Sequence, residues 1–253
     1  MTDTNPALQL MISRRFVEAV AAYRKQLREQ PEKKWSNVDG LAESLMGAGQ
    51  YAEAIPYFEE VSANGRGELP VAAGCMEQIS VCHWMIGERR KALDLIRELV
   101  VAVRDGTIAF TDFAGGVSQG LILCYMAITL RSMADVDLAM NYLKTLASRP
   151  RIKNWPGPAA LFLLGGLTFE QAVKNATDEA HSKPEADQEG WTRRYLSALL
   201  FAAGTERRMA GDEEGARVFF ARCASLINPL VEYEWYLAKS EFLPQQQTLV
   251  EAG

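Results

Sequence analysis

Apolar residues recur along the chain at three- and four-residue spacing. One set is Met76, Ile79, His83, Leu93, Ile96 and Leu99; another is Leu123, Met126, Leu130, Leu138, Leu143 and Leu146. That period is helical: it gathers a stripe on one face for the core and leaves the opposite face polar. Small residues punctuate the stripes. Alanines at 19, 54, 92, 139, 172 and 216, spaced 35, 38, 47, 33 and 44, each follow a loop and precede an aromatic or apolar residue four later. Antiparallel helices approach to the short end of the ~8–10 Å range only where the crossing residues are small. The pattern predicts stacked helix pairs.

The clearest copy runs Gly49-Gln50-Tyr51-Ala52-Glu53-Ala54-Ile55-Pro56-Tyr57-Phe58-Glu59-Glu60-Val61, preceded by Leu41-Ala42 and Leu45. These residues resemble the tetratricopeptide repeat (TPR) family, helix–turn–helix units of about 34 residues. The family wants a small residue twelve before the key alanine, and those positions hold Ala7, Ala42, Ser80, Ala127, Ala160 and Gly204. Its early aromatic is replaced by Val38, Met76, Leu123, Pro156 and Leu200, and its closing proline is clear only at Pro31, so the repeats are degenerate. The resemblance implies an all-α, right-handed α-solenoid of about six antiparallel helix pairs with a C-terminal capping helix. The expected repeats are 3–34, 35–70, 73–104, 120–151, 154–180 and 195–228, with a cap over 229–242 and a loose tail over 243–253.

Two stretches add length. Residues 104–120 carry Asp105-Gly106 and Gly115-Gly116 and read as a long inter-repeat loop. Residues 177–190, acidic and holding Pro184, read as an exposed linker. Thr168 and Gln171 form a capping box that starts a helix, whereas Pro156 and Pro158 shorten the helix before it. The aromatics Tyr233, Trp235, Tyr236 and Phe242 suit a terminal helix that covers the last repeat, or a homodimer surface on that helix.

Of 253 residues, 48% are hydrophobic and 23% charged, as in an ordinary globular protein, and the net charge of −5 provides no basic field for nucleic acid or an anionic membrane. The longest nearly apolar run, Leu121 to Leu130, rises about 15 Å as a helix, half of what a bilayer core needs. Cys75, Cys82, Cys124 and Cys223 form no C-x-x-C pair and read as reduced core thiols, and the acidic start lacks the form of a secretory signal, so a cytoplasmic protein is expected. His83 reads as a packed core histidine and His181 as a solvated one. No zinc, phosphate-loop or nucleophile-elbow motif occurs, so no enzyme activity, metal or cofactor is expected.

The resemblance implies a concave wall built mainly from first helices, which TPR-like proteins use to hold peptides or partner domains. By register it receives Asp39, Glu43, Glu77 and Trp84 from the N-terminal half, then Tyr125, Arg131, Phe201 and Arg208. Acids stand where a carboxylate clamp would place cations, so the expected partner is a protein or peptide with a cationic surface. Two functions fit: a scaffold or adaptor, and a bacterial immunity (antitoxin) protein that neutralises a toxin domain.

Overall fold

A computed structural model describes residues 5–64, 72–109, 112–227 and 232–243, and within them the chain is helical without a strand. Six hairpins follow one another. They are α1(Pro6–Ile12) with α2(Phe16–Glu29), α3(Lys34–Gly47) with α4(Tyr51–Asn64), and α5(Ala72–Met85) with α6(Arg89–Arg104). Next come α7(Val117–Thr129) with α8(Met133–Ala147), α9(Gly157–Leu163) with α10(Phe169–His181), and α11(Gln188–Met209) with α12(Glu213–Ser225). A last helix, α13(Tyr233–Ser240), closes the order. Helices that adjoin in sequence pack together, making an all-α solenoid.

The hairpins share one turn. Its left-handed residue is Arg14, Gly49, Gly87, Arg131, Gly165 and Gly211 in the six pairs. The following amide reaches back five residues to a carbonyl, as from Gln50 to Leu45 at 2.9 Å and from Ser132 to Ala127 at 2.9 Å. These bonds satisfy carbonyls that a helix end would otherwise leave unpaired. Glycine adopts the left-handed region freely, whereas Arg14 and Arg131 hold it at a steric cost.

Small residues do sit at the crossings. The Ser80 hydroxyl donates to the Ala92 carbonyl at 2.8 Å across the third hairpin, and Ala42 and Ala54 are fully buried in the second. At Gly204 a β-carbon would lie 2.6 Å from the Phe220 ring, so the helix there accepts a phenyl ring in place of a side chain. One register is corrected. Ala19, Ala54, Ala92, Ala172 and Ala216 are each the fourth residue of their helix, but in α8 that place belongs to Val136, and Ala139 stands one turn later. Residues three apart share a helix face, so spacing alone does not separate them.

The stretch 177–190 is not an exposed linker. Helix α10 runs on to His181 and α11 starts at Gln188, with a short 3-10 turn between them. Ala176 and Ala180 bury one face of α10, and Tyr195 buries the extended start of α11, so acids on the outer face hid an amphipathic helix. The capping box forms: Gln171 N donates to Thr168 Oγ1 at 3.2 Å, and Thr168 N donates to Gln171 Oε1 at 2.8 Å. α9 spans only seven residues. Gly120, expected in the 104–120 loop, lies inside α7, while Thr111 and Pro229 fall outside the described residues.

Candidate functional site

The eight residues expected on the concave wall divide into two groups. Trp84, Tyr125 and Phe201 do share a surface: the Trp84 and Tyr125 rings are 5.5 Å apart and those of Tyr125 and Phe201 4.8 Å. That surface is not open to a partner. Trp84 is 2% exposed and the other two not at all, because α13 turns back from α12 and packs on α11 and α5. The expected cap therefore lies in the concavity. Trp84 Nε1 donates to Ser240 Oγ at 3.1 Å, and the Tyr125 hydroxyl donates to Glu241 Oε1 at 2.5 Å. Arg208 clamps both Glu241 oxygens at 2.8 and 3.0 Å. Burial pushes the Glu241 carboxyl up, but the Arg208 and Tyr125 bonds outweigh it and hold it below its ordinary value. The face of α13 that carries Tyr236, Leu237 and Ala238 is thus covered within the chain, while Phe242 is exposed. Arg131 stands exposed in its turn, beside a small polar cleft lined by Arg89, Arg208 and Glu241.

Asp39, Glu43 and Glu77 lie elsewhere. Glu43 and Glu77 line a cavity of about 410 Å³ with Asp112, Ser118, Glu232 and Glu234. Trp155, Trp191, Tyr195 and Tyr233 line it too. Asp39, one helical turn before Glu43 on α3, is half-buried. The cavity brings together α3, α5, the loop before α7, α11 and the entry to α13. Five carboxyl groups line it, and of the lining residues only Arg194 is basic.

Each carboxyl has a different supply of donors. Asp112 Oδ1 accepts from the amides of Ala114, Gly115 and Gly116 at 2.9, 2.7 and 2.8 Å. Its Oδ2 accepts from Ser118 N at 2.8 Å, so Asp112 is a clasp for the loop that starts α7. Glu232 accepts from Arg194. Glu77, fully buried, accepts from the Ser118 hydroxyl at 2.8 Å and from Gln119 Nε2 at 2.8 Å. Glu43 accepts from Gln78 Nε2 at 3.3 Å. Glu234, like Glu43, has one long side-chain bond, beside a bond from its own backbone amide. Its Oε1 lies 3.3 Å from the same Ser118 hydroxyl that serves Glu77, and its buried Oε2 has no hydrogen-bond partner among the described residues.

Burial sets the charge state of this group. It raises the Glu43 and Glu234 carboxyls to about 8, helped by Asp39 at Glu43 and by Glu232 at Glu234. Glu77 is held well above its ordinary value by burial, then by Glu234 and Asp112, against its hydrogen bonds. Desolvation raises Asp39 to about 6. Removing a carboxylate from water disfavours its ionised form, and like charges add to that.

No titratable cluster stands together along the sequence, but the fold makes this one. Asp112, Ser118, Trp155, Trp191, Tyr195, Glu232, Tyr233 and Glu234 were not expected in a site. Residues separated by over a hundred positions meet here, as Ser118 and Glu234 do, and no local spacing encodes that. A usable signal was the pairing of Glu232 and Glu234 around Tyr233 in a segment expected to be an aromatic-rich capping helix. Elsewhere, His83 is buried with Nδ1 2.7 Å from Glu88 Oε2, and desolvation lowers its pKa. Among the described residues, no three His, Cys, Asp or Glu side chains are placed to hold a metal ion, and no helix is long and apolar enough to cross a membrane.

No family model and no curated protein matches the chain. Among solved structures, the crystal structure of a tetratricopeptide repeat protein from Parabacteroides merdae ATCC 43184 is similar over 92% of this chain and 96% of that one, with 14% identity and a TM-score of 0.42.

Proposed function

We propose that this chain is a TPR-like, non-enzymatic scaffold that binds a cationic segment of another protein at the acidic cavity, in the cytoplasm. The single observation that supports it is the gathering of five carboxyl groups around the one guanidinium of Arg194: burial favours the protonated form of Glu43, Glu77 and Glu234 until a bound cation draws them into the ionised one. Such a wall attracts and orients cationic partners more than it strengthens non-specific contact. A binding role suits the donors better than a catalytic one. Asp112 is spent on four backbone amides and Glu232 on Arg194, so neither is free to move a proton.

The test is native capture with mass spectrometry, using the full chain and a Glu43→Gln/Glu234→Gln variant that retains the wild-type melting temperature. The expected result is a partner whose captured segment is rich in lysine or arginine and which the variant loses. Several weakly held partners mark an adaptor; one held at nanomolar strength marks a dedicated inhibitor. An identical partner set for both proteins overturns the reading.

A further inference from the structure

Away from the acidic cavity, three sulfur atoms from three helices meet. Cys124 Sγ on α7 lies 3.5 Å from Met209 Sδ at the end of α11 and 4.0 Å from Met140 Sδ on α8. Met140 and Met209 stand 16 and 85 positions from Cys124 in the chain, so the fold and not a local motif assembles the group. Cys124 is fully buried while Met140 and Met209 are half-buried, which puts the group at the edge of the core. Two of the three donors are thioethers, so no trio of His, Cys, Asp or Glu marks the place among the described residues. Cys223 has different company. Its Sγ lies 3.4 Å from the Ser197 carbonyl oxygen and 3.6 Å from Ser197 Oγ.

The donor set selects the ligand. A thiol has one weakly donated proton, which can serve only one of two thioethers, so hydrogen bonding does not account for both contacts. Thiol and thioether sulfurs are polarisable and suit soft ions. Magnesium and calcium seek oxygen and gain nothing here. Zinc takes thiolate, imidazole or carboxylate, and this group holds a single such ligand. Copper(I) accepts thiolate and thioether alike. The spacing suits it as well. A metal–sulfur bond of about 2.3 Å sets two sulfurs on one trigonal ion about 4 Å apart. The contacts of 3.5 and 4.0 Å are close to that chord, and the unbranched, freely rotating methionine chains can take up the difference. One thiolate balances one monovalent cation, so the occupied site buries no net charge.

We propose that Cys124, Met140 and Met209 form a binding site for copper(I), with the Cys124 thiolate as the charged ligand and the two thioethers completing a trigonal set. On binding, the Cys124 S–H bond breaks, an S–Cu bond forms and the proton leaves to solvent; the copper enters and stays as copper(I). The ion joins α7 and α8 of the fourth hairpin to α11 of the sixth. The site is independent of the acidic cavity and stands whether or not that cavity takes a cationic segment.

The test is an anaerobic titration of the full, reduced chain with copper(I) in competition with bathocuproine disulfonate, a coloured copper(I) chelator. One equivalent should pass from chelator to protein with a thiolate-to-copper charge-transfer band in the ultraviolet, and X-ray absorption should show sulfur ligands alone. Cys124→Ser should abolish that binding. Met140→Leu and Met209→Leu keep the side-chain volume, and each should weaken binding about tenfold or more while the circular dichroism stays unchanged. Cys223→Ser should bind as wild type does. The proposal falls if wild type leaves the copper on the chelator, a comparison that needs no variant; the three sulfurs then only pack. It also falls if a folded Cys124→Ser chain or either folded methionine variant binds as wild type does. Nitrogen or oxygen ligands in the absorption spectrum, or loss of the ion in a folded Cys223→Ser chain, would place the copper elsewhere and overturn it too.

Discussion

Trp84 and Ser240, 156 positions apart, are joined by an indole N–H that donates to the Ser240 hydroxyl at 3.1 Å. This bond ties the third hairpin to the last helix and fixes α13 in the concavity. Beside it the Tyr125 hydroxyl donates to the Glu241 carboxylate at 2.5 Å. Hydrogen bonds to charged groups contribute more than neutral ones, so Tyr125→Phe should cost about 1–3 kcal/mol in urea unfolding. It should also raise amide exchange over 233–240. Wild-type exchange in that helix would mean that α13 does not depend on this seat.

The crossings should resist enlargement. Ala54 is fully buried between α3 and α4, and a β-carbon on Gly204 would come 2.6 Å from a Phe220 ring that is itself buried. Ala54→Leu and Gly204→Ala should each destabilise by about 1–3 kcal/mol, through overpacking. Thermal melts test both, and unchanged midpoints would contradict the packing.

Arg131 holds a φ of 56° in the α7–α8 turn, where most of its counterparts are glycine. An L side chain in that region carries a steric cost, partly offset by the greater unfolded-state freedom of glycine, so Arg131→Gly should stabilise by about 0.5–1 kcal/mol. A fall in the melting temperature would instead show that the Arg131 side chain makes a contact worth more than the strain.

Stability should decline as pH rises. Burial raises Glu43 and Glu234 from 4.5 to about 8 in the folded chain. A carboxyl raised by folding stabilises fully below its unfolded value, and that contribution is lost as pH climbs through the folded value. The melting temperature should therefore drop between about pH 5 and about pH 8. Glu77, Asp112, Glu232, Tyr233 and Arg194 surround Glu234, and Glu234→Gln should flatten the profile without removing it. A melting temperature that rises over this window would refute the protonated state assigned to these groups.

All four cysteines are free and buried, and burial pushes each thiol up to about 12. Thiolate is the reactive form, so Ellman's reagent should label native protein slowly and all four positions promptly in denaturant. Fast labelling of any one of them in the native state would place that residue at the surface.

The helical hairpins were legible in the sequence because their causes are local. Three- and four-residue periodicity, alanines and glycines at the crossings, glycines in four of the six turns and the Thr168–Gln171 box all act within one repeat. Asp39, Glu43 and Glu77 could be assigned to an inner acidic face for the same reason. Position along a helix fixes the face, although not to better than one turn, as Val136 and Ala139 show. What tertiary structure decided was where α13 goes. An amphipathic segment of eight residues can cover the end of a stack or lie within it, and its own pattern is the same in both cases. Only the shape left by α5, α11 and α12 makes the choice, and that choice buries Trp84, Tyr125 and Phe201 while carrying Glu234 to Glu77. The acidic cavity exists because of long-range packing, which no short stretch of sequence specifies.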